Sequence, residues 1–424
     1  AVSEIISDVA PGSELYLYTF SSELEFDEAA NYASNKADLI AMSSGWTNYP
    51  TDGSSSMTKT VQDIVTSGTP FVISAGNYAE THWEGDFTDS DSNGWHEFKT
   101  NDEGLSFNVD QSRISKNPIL VYLMWEESKS TVYDLNLSLI FDETKEVVSS
   151  SSNVQLGNGD AFEYIYFTPK KPGIYSLGVS YEGSKPKTSI EIFSDSDRLE
   201  YVTEQGSVSV PTDANGVISV GAINHNDSKL EPFSSQGPTN NDKIAPSLVG
   251  PDAVTTTSFG GTFYGTSAAA PHVAGITALL LEKHPTATPD QILLMLQENA
   301  DKKAVGLKSD NTNKFGHGKA DAKFLLNSVS LEDEISIPDW VKNNAGWWAQ
   351  RLISDEDFAS GIQYMIKEGV IQVPKTNSTV NSEEDIEIPD WVRNNADWWS
   401  QDLISDKDFA SGIQYLVSVG IISV

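Results

Sequence analysis

Gly265-Thr266-Ser267-Ala268-Ala269-Ala270-Pro271-His272-Val273-Ala274-Gly275 is the stretch from which the rest of the chain is read. Gly265 permits a close and unusual backbone approach. Ser267 then opens an apolar helical run through Val273, Ala274, Ile276, Leu279 and Leu280. A serine in that place has its hydroxyl beside the positive end of a helix and beside unpaired backbone N–H groups. An acyl-transfer nucleophile needs such a setting, because negative charge develops next to it in the transition state. An N-cap serine ahead of a buried Ala-rich helix is the other reading of the same residue. The full eleven-residue string is more specific than a cap.

Two more segments point the same way. Phe71-Val72-Ile73-Ser74-Ala75-Gly76-Asn77 is an apolar strand ending in Ala-Gly-Asn, and Phe233-Ser234-Ser235-Gln236-Gly237-Pro238 is followed by Ile244-Ala245-Pro246. Alone, Asn77 reads as a turn asparagine after a strand. Together with the serine string, which resembles the nucleophile motif G-T-S-x-[SA]-x-P-x-x-[STAVC]-[AG] at every constrained position, these segments resemble the subtilisin-like serine peptidases. The resemblance implies an acyl-enzyme on Ser267, with Asn77 and the Ser267 N–H binding the oxyanion. It implies a protein or peptide substrate and no cofactor for the chemistry. Asp38-Leu39-Ile40-Ala41-Met42 ends at Ser43-Ser44-Gly45, which is similar to the family segment that pairs with extended substrate by strand addition. Ser44, Gly45, Ser74, Ala75 and Gly76 are then expected to line the pocket for the residue before the scissile bond.

The same family places an aspartate and then a histidine upstream of the serine. Ala1-Val2-Ser3-Glu4-Ile5-Ile6-Ser7-Asp8-Val9-Ala10-Pro11-Gly12 resembles the segment that follows that histidine, so both triad partners are expected upstream of Ala1, in a longer precursor. His82, His96, His225, His272, His284 and His317 offer no substitute by position, and Asp8 is read as a capping residue. A second reading is a non-catalytic surface or binding protein built on a degenerate peptidase scaffold.

The expected fold class is α/β: a doubly wound, mostly parallel subtilisin-like sheet interrupted by an inserted antiparallel β-sandwich or jelly roll, plus two small helical repeats. Residues 1–82 and 201–330 alternate helices with apolar strands, as a parallel sheet covered on both faces requires. Glu14 to Tyr18, Ile40 and Val72 mark strands, and the β pattern returns at Gly206 to Pro211 and Gly216 to Ala222. Residues 83–200 instead carry recurring alternating β-formers, among them Ile119 to Trp125, Tyr133 to Phe141 and Phe162 to Phe167. Asp89-Ser90-Asp91-Ser92-Asn93-Gly94 resembles the start of a calcium loop. The alternate oxygens of Asp89, Asp91 and Asn93 suit a hard cation, although Thr100 stands where an EF-hand has its glutamate. A solvated acidic turn is the other reading of the same run, and structural calcium stands beside it as an expectation.

The repeats are plain in the sequence. Ile337 to Trp348 returns as Ile388 to Trp399, and Ser354 to Tyr364 returns as Ser405 to Tyr415, giving units at 335–374 and 386–424. Each reads as two helices, with its tryptophans in the core. They resemble modules of exported archaeal proteins, which implies cell-surface attachment and an extracellular or cell-surface location. Against 27 Lys and Arg stand 61 Asp and Glu, a formal net charge of -34. Nucleic acid is not expected as a partner and an anionic membrane is a poor one, since both need the opposite sign. With no cysteine the chain has neither disulfides nor thiolate metal sites, and no apolar run reaches the length of a membrane span.

Overall fold

Apolar runs alternating with capped amphipathic stretches build the first layer of the structure. In the computed structural model the described residues are 1–125, 133–154, 161–326, 339–354, 358, 390–401 and 409. The chain divides into the units Ala1–Leu326 and Asn327–Val424. The first unit opens with α1 (Val2–Val9), α2 (Glu23–Ser34), β1 (Ile40–Met42), α3 (Ser56–Thr66) and β2 (Phe71–Ser74). Eight strands follow: β3 (His82–Asp86), β4 (Leu105–Val109), β5 (Ile119–Trp125), β6 (Asp134–Phe141), β7 (Glu146–Ser151), β8 (Phe162–Phe167), β9 (Gly173–Glu182) and β10 (Ser189–Ser194). It closes with β11 (Ile218–Asn224), β12 (Leu248–Asp252), the hairpin β13 (Val254–Thr256) and β14 (Gly261–Phe263), then α4 (Thr266–Lys283), α5 (Pro289–Glu298) and α6 (Thr312–Phe315).

Local chemistry sets the helix starts. Ser22 accepts from the Glu25 N–H at 3.2 Å, and Ser55 accepts from the Thr58 N–H at 3.0 Å. Thr288 and Gln291 form a reciprocal capping box ahead of α5, with Pro289 at its first position. Strands β1, β2, β11 and β12 form a parallel sheet in that order. Phe71 and Ile73 point into a core with Phe26, Met57, Val61 and Ile64. Val72 points the other way, into a core with Val220, Val273 and Leu280. Helices therefore cover both faces, which is why β2 is buried at every position. Gly275 lets α1 approach α4, since a Cβ there would lie 2.6 Å from Val9 Cβ.

Between β2 and β11 the chain forms two antiparallel four-stranded sheets, ordered β3-β10-β5-β8 and β4-β9-β6-β7. Leu123, Ile165 and Ile192 from one, with Leu105, Leu137 and Leu177 from the other, share a single core. The fold is thus mixed α/β, with one parallel sheet and separate antiparallel ones.

Three local expectations are corrected. Residues 14–18 are not a strand: among the described residues no strand pairs with them, and Leu17 is 80% exposed. Alternation records β propensity, but a strand needs a hydrogen-bonded neighbour, and among the described residues β1 pairs only with β2. A groove of about 1000 Å³ lined by Tyr16, Tyr18, Phe26, Ile40, Met42 and Leu281 runs beside this segment. In 206–211, only Val210 pairs, in an isolated bridge to Trp46, and Pro211 has no N–H with which to extend it. Asp8 lies exposed in the last turn of α1, where the Ala10 N–H donates to the Ile6 carbonyl and no Asp8 cap forms.

In the second unit the helices Asp339–Ala349 and Asp390–Ser400 pack together. Trp348 stacks on Phe358 with ring centroids 3.9 Å apart, and Trp399 stacks on Phe409 at 3.8 Å. The guanidinium of Arg393 lies 4.3 Å over Trp348, and Lys342 Nζ lies 5.7 Å over Trp399. Each repeat thus places a cation on the other's buried tryptophan. Trp347 and Trp398 remain about half exposed. The second helix expected in each repeat, apart from Phe358 and Phe409, lies outside the described residues, as do its glycine end and the 375–384 linker.

Candidate active site

The carboxyl ends of the parallel strands and the amino end of α4 meet around Ser267. Gly265 takes φ 108° and ψ 165°, a conformation essentially limited to glycine. Its N–H donates to Asp252 Oδ2 at 2.8 Å. The chain then turns straight into α4, which leaves the Ser267 N–H in the first helical turn without an intrahelical acceptor. Ser267 is half-buried, and its hydroxyl donates to the Ser43 carbonyl at 3.1 Å. The Ser43 hydroxyl returns the bond to the Ser267 carbonyl at 3.1 Å. A main-chain carbonyl cannot take a proton at neutral pH, so this contact orients the hydroxyl without activating it.

Asn77 is held by Thr266. Its Oδ1 accepts from the Thr266 N–H at 2.8 Å and from Thr266 Oγ1 at 3.0 Å. That fixes the amide, with the oxygen toward Thr266 and Nδ2 left as donor. Nδ2 lies 3.1 Å from where a Cβ on Gly265 would sit, so the asparagine packs directly on the turn before Ser267. Thr266 Oγ1 also accepts from the Gly76 N–H at 3.2 Å. On the other flank Ser235 Oγ accepts from the Tyr78 N–H at 2.9 Å, and the Ser235 N–H donates to the Gly76 carbonyl at 3.0 Å. The Ala-Gly-Asn turn is therefore clamped from both sides.

The other residues expected in the cleft are spread around this centre. Ser44 is exposed, while Gly45 packs on the 209–210 segment, where a Cβ would meet Ser209 Oγ at 2.5 Å. Ser74 and Ala75 are buried. The Ala75 N–H donates to Val220 and its carbonyl accepts from Ser209, so neither is open to an added strand.

Asp89, Asp91 and Asn93 turn to their own loop. Asp89 accepts from the N–H groups of Asn93 and Gly94 and from the Tyr181 hydroxyl at 3.2 Å. Asp91 accepts from the Asn93 backbone and side chain, and Asn93 Oδ1 accepts from the Trp95 N–H. Burial pushes the Asp89 carboxyl up, but the Gly94 N–H, the Tyr181 hydroxyl and the Asn93 and Ser92 N–H groups outweigh it, and its pKa is lowered. These hydrogen bonds close the 89–94 turn.

None of the histidines serves Ser267 in this arrangement. His272 Nδ1 bonds the Ala268 carbonyl, His225 Nδ1 the Asp252 carbonyl, and His317 Nδ1 the Ser247 carbonyl. His82 and His284 are buried, as is His96, whose pKa burial pushes down to about 4.

Sequence reasoning missed Asp252. It is fully buried at the end of β12, accepts from Gly265, and has its Oδ1 without a hydrogen-bond partner. Burial pushes its pKa up to about 6. An acidic residue just after an apolar run was the available signal, and it is too common to single out one aspartate among many.

A solved structure of the Clostridium perfringens CspB protease superposes with a TM-score of 0.53 at 20% identity, covering 73% of this chain and 72% of that one. The fold is subtilisin-like. Residues 126–318 match the model of the Subtilase family. Serine protease AprX of Bacillus subtilis is 31% identical over 141 residues, which are 28% of this chain and 31% of that protein. Subtilisin E of the same organism is 39% identical over 97 residues, 22% of this chain and 24% of its own length. The matched stretches thus span under a third of these curated relatives. The resemblance throughout is to serine endopeptidases.

Proposed function

We propose that this chain is part of a serine endopeptidase that hydrolyses peptide bonds of proteins or peptides through an acyl-enzyme on Ser267. The observation that supports this most is the pinned Asn77 amide. Thr266 takes its oxygen, so the N–H end is available beside the helix terminus that carries Ser267. In the proposed reaction Ser267 Oγ attacks the peptide carbonyl, and its proton passes to a histidine oriented by an aspartate. The carbonyl oxygen then collects charge between Asn77 Nδ2 and the Ser267 N–H. Loss of the amine leaves the acyl-enzyme, and water completes hydrolysis. The histidine and aspartate are proposed to come from outside residues 1–424, because each histidine within them is engaged or buried elsewhere. Substrate runs past Ser43, Ser44 and Gly45 on one side and the 74–76 turn on the other. No metal takes part in the chemistry, and the 89–94 loop remains the candidate for structural calcium.

The antiparallel sheets at 83–200 are proposed as an insertion between the two halves of the catalytic fold at 1–82 and 201–330. The tryptophan-rich repeats are proposed to attach an extracellular enzyme to the cell surface. No helix among the described residues is long and apolar enough to cross a membrane. Incubation of the full-length protein with an unfolded protein substrate tests the reading. New amino termini are expected with the wild type and none with Ser267→Ala. Equal cleavage by the two, or none by either, rejects the peptidase and leaves the non-catalytic scaffold.

A further inference from the structure

The face of β3 and β10 that looks toward residues 203–206 carries three ligand-type side chains. Glu84 and Glu191 are directly opposite in the antiparallel register, and His82 lies two residues before Glu84 on the same face. One ligand atom from each can be chosen so that all three lie within 4.8 Å of one another. Like charges placed directly opposite in a sheet destabilise the pair.

The histidine sharpens the problem. Its Nδ1 is 2.6 Å from the Thr203 carbonyl, which can only accept, so Nδ1 carries the proton and donates. In the neutral ring Nε2 then holds a lone pair. Nε2 faces Glu191 Oε1 at 3.1 Å, and His82 is fully buried. With the ring neutral, an acceptor confronts an acceptor at a buried imidazole, and Glu84 lies beside them. A cation at this point bridges His82 Nε2 and Glu191, with Glu84 within reach as a third ligand. A ring whose Nδ1–H is held by a backbone carbonyl while Nε2 points outward is the arrangement that orients a metal-bound imidazole.

We propose that His82 Nε2, Glu84 and Glu191 bind a divalent transition cation of the zinc type. An imidazole with two carboxylates suits zinc rather than calcium, which takes oxygens alone. The 3.1 Å between Nε2 and Oε1 fits two donors on one ion, whose separation at bond lengths of about 2.0–2.2 Å is about 3–3.5 Å. Gly206 keeps the approach open, since a Cβ there would fall 2.7 Å from Glu84 Oε2. The site would tie β3 and β10 to the segment that leads back into the parallel sheet. There the Glu84 N–H already donates to Thr203 Oγ1, which itself donates to the Glu84 carbonyl. This site is independent of Ser267 and stands or falls separately from the peptidase reading.

Zinc alone, titrated into the chelator-stripped full chain by calorimetry, tests the assignment. One site per chain is expected, weakened about 100-fold or more by Glu191→Gln and by Glu84→Gln, and unchanged by Asp91→Asn in the separate 89–94 loop. X-ray absorption of the wild-type zinc complex is expected to report one nitrogen donor among oxygens. Absence of zinc binding by the wild type, full retention by both glutamine variants, or an all-oxygen zinc shell overturns the proposal. The first of these leaves an imidazolium–carboxylate pair as the occupant of the site. If a variant fails to fold, the wild-type titration and absorption spectrum still decide.

Discussion

Gly265→Ala is the substitution whose cost can be worked most fully from the geometry. The added Cβ would lie 3.1 Å from Asn77 Nδ2, 3.4 Å from Oδ1 and 3.6 Å from Cγ. Asn77 cannot swing aside freely, because its Oδ1 is bonded to the Thr266 N–H at 2.8 Å and to Thr266 Oγ1 at 3.0 Å. The backbone at φ 108°, ψ 165° adds strain of about 1–3 kcal/mol for a residue with a Cβ. Losing or lengthening one hydrogen bond adds about 1 kcal/mol. The sum is about 2–4 kcal/mol, or about 30- to 1,000-fold in the unfolding equilibrium. Guanidinium unfolding of the wild type, Gly265→Ala and Gly12→Ala measures it, with Gly12 as control because nothing lies within 4 Å of a Cβ there. The midpoint is expected to fall for position 265 at unchanged slope and to stay put for position 12. A loss below about 0.5 kcal/mol at position 265 would refute the argument that the turn and the asparagine form one rigid unit.

Asp252 gives stability a pH signature. Its folded pKa of about 6 lies above the ordinary value of 3.8, so between these limits the native state holds a proton that the unfolded chain releases. The stabilisation is complete below the ordinary value and is lost as pH rises through about 6, by up to about 3 kcal/mol. Asp252→Asn should flatten that slope in urea midpoints measured from pH 4 to 7, and an unchanged slope counts against the assignment. Thr288→Ala removes the capping box of α5 and should cost about 0.5–2 kcal/mol, read as a lower thermal midpoint of the Ala1–Leu326 unit. In the other unit, Trp399→Ala should cost about 3–5 kcal/mol, because the ring is fully buried on Phe409. Near-ultraviolet dichroism of the 327–424 unit reports it, and an unaltered melting curve would mean the stacked ring carries no core.

The core of the fold was legible where local signals agreed. β2 is an unbroken apolar run flanked by a capped α3 and an Ala-Gly-Asn turn, and it lies at the centre of the sheet. The serine string gave a glycine-led helix start, and the structure supplies its reason in the positive φ of Gly265. What failed depended on partners that a sequence does not display. Glu14 to Tyr18 has the alternation of a strand, yet lies unpaired with Leu17 in solvent. Gly206 to Pro211 has β-formers but a proline where the ladder would continue. The oxygens of 89–94 have calcium spacing, and only coordinates show which of them also accept from loop N–H groups and from the Tyr181 hydroxyl. Thr266 was read as one letter of a motif. Its hydroxyl ties the Gly76–Asn77 turn after β2 to the start of α4, through contacts about 190 residues apart in the chain.

The most direct measurement of the central claim is mass spectrometry of the full-length protein after exposure to a fluorophosphonate, which reacts only with an activated serine. A single adduct on Ser267, slowed at least tenfold by Asn77→Ala without loss of folding, is what the account predicts. Absence of any adduct, or labelling at another residue that persists in Ser267→Ala, would contradict it.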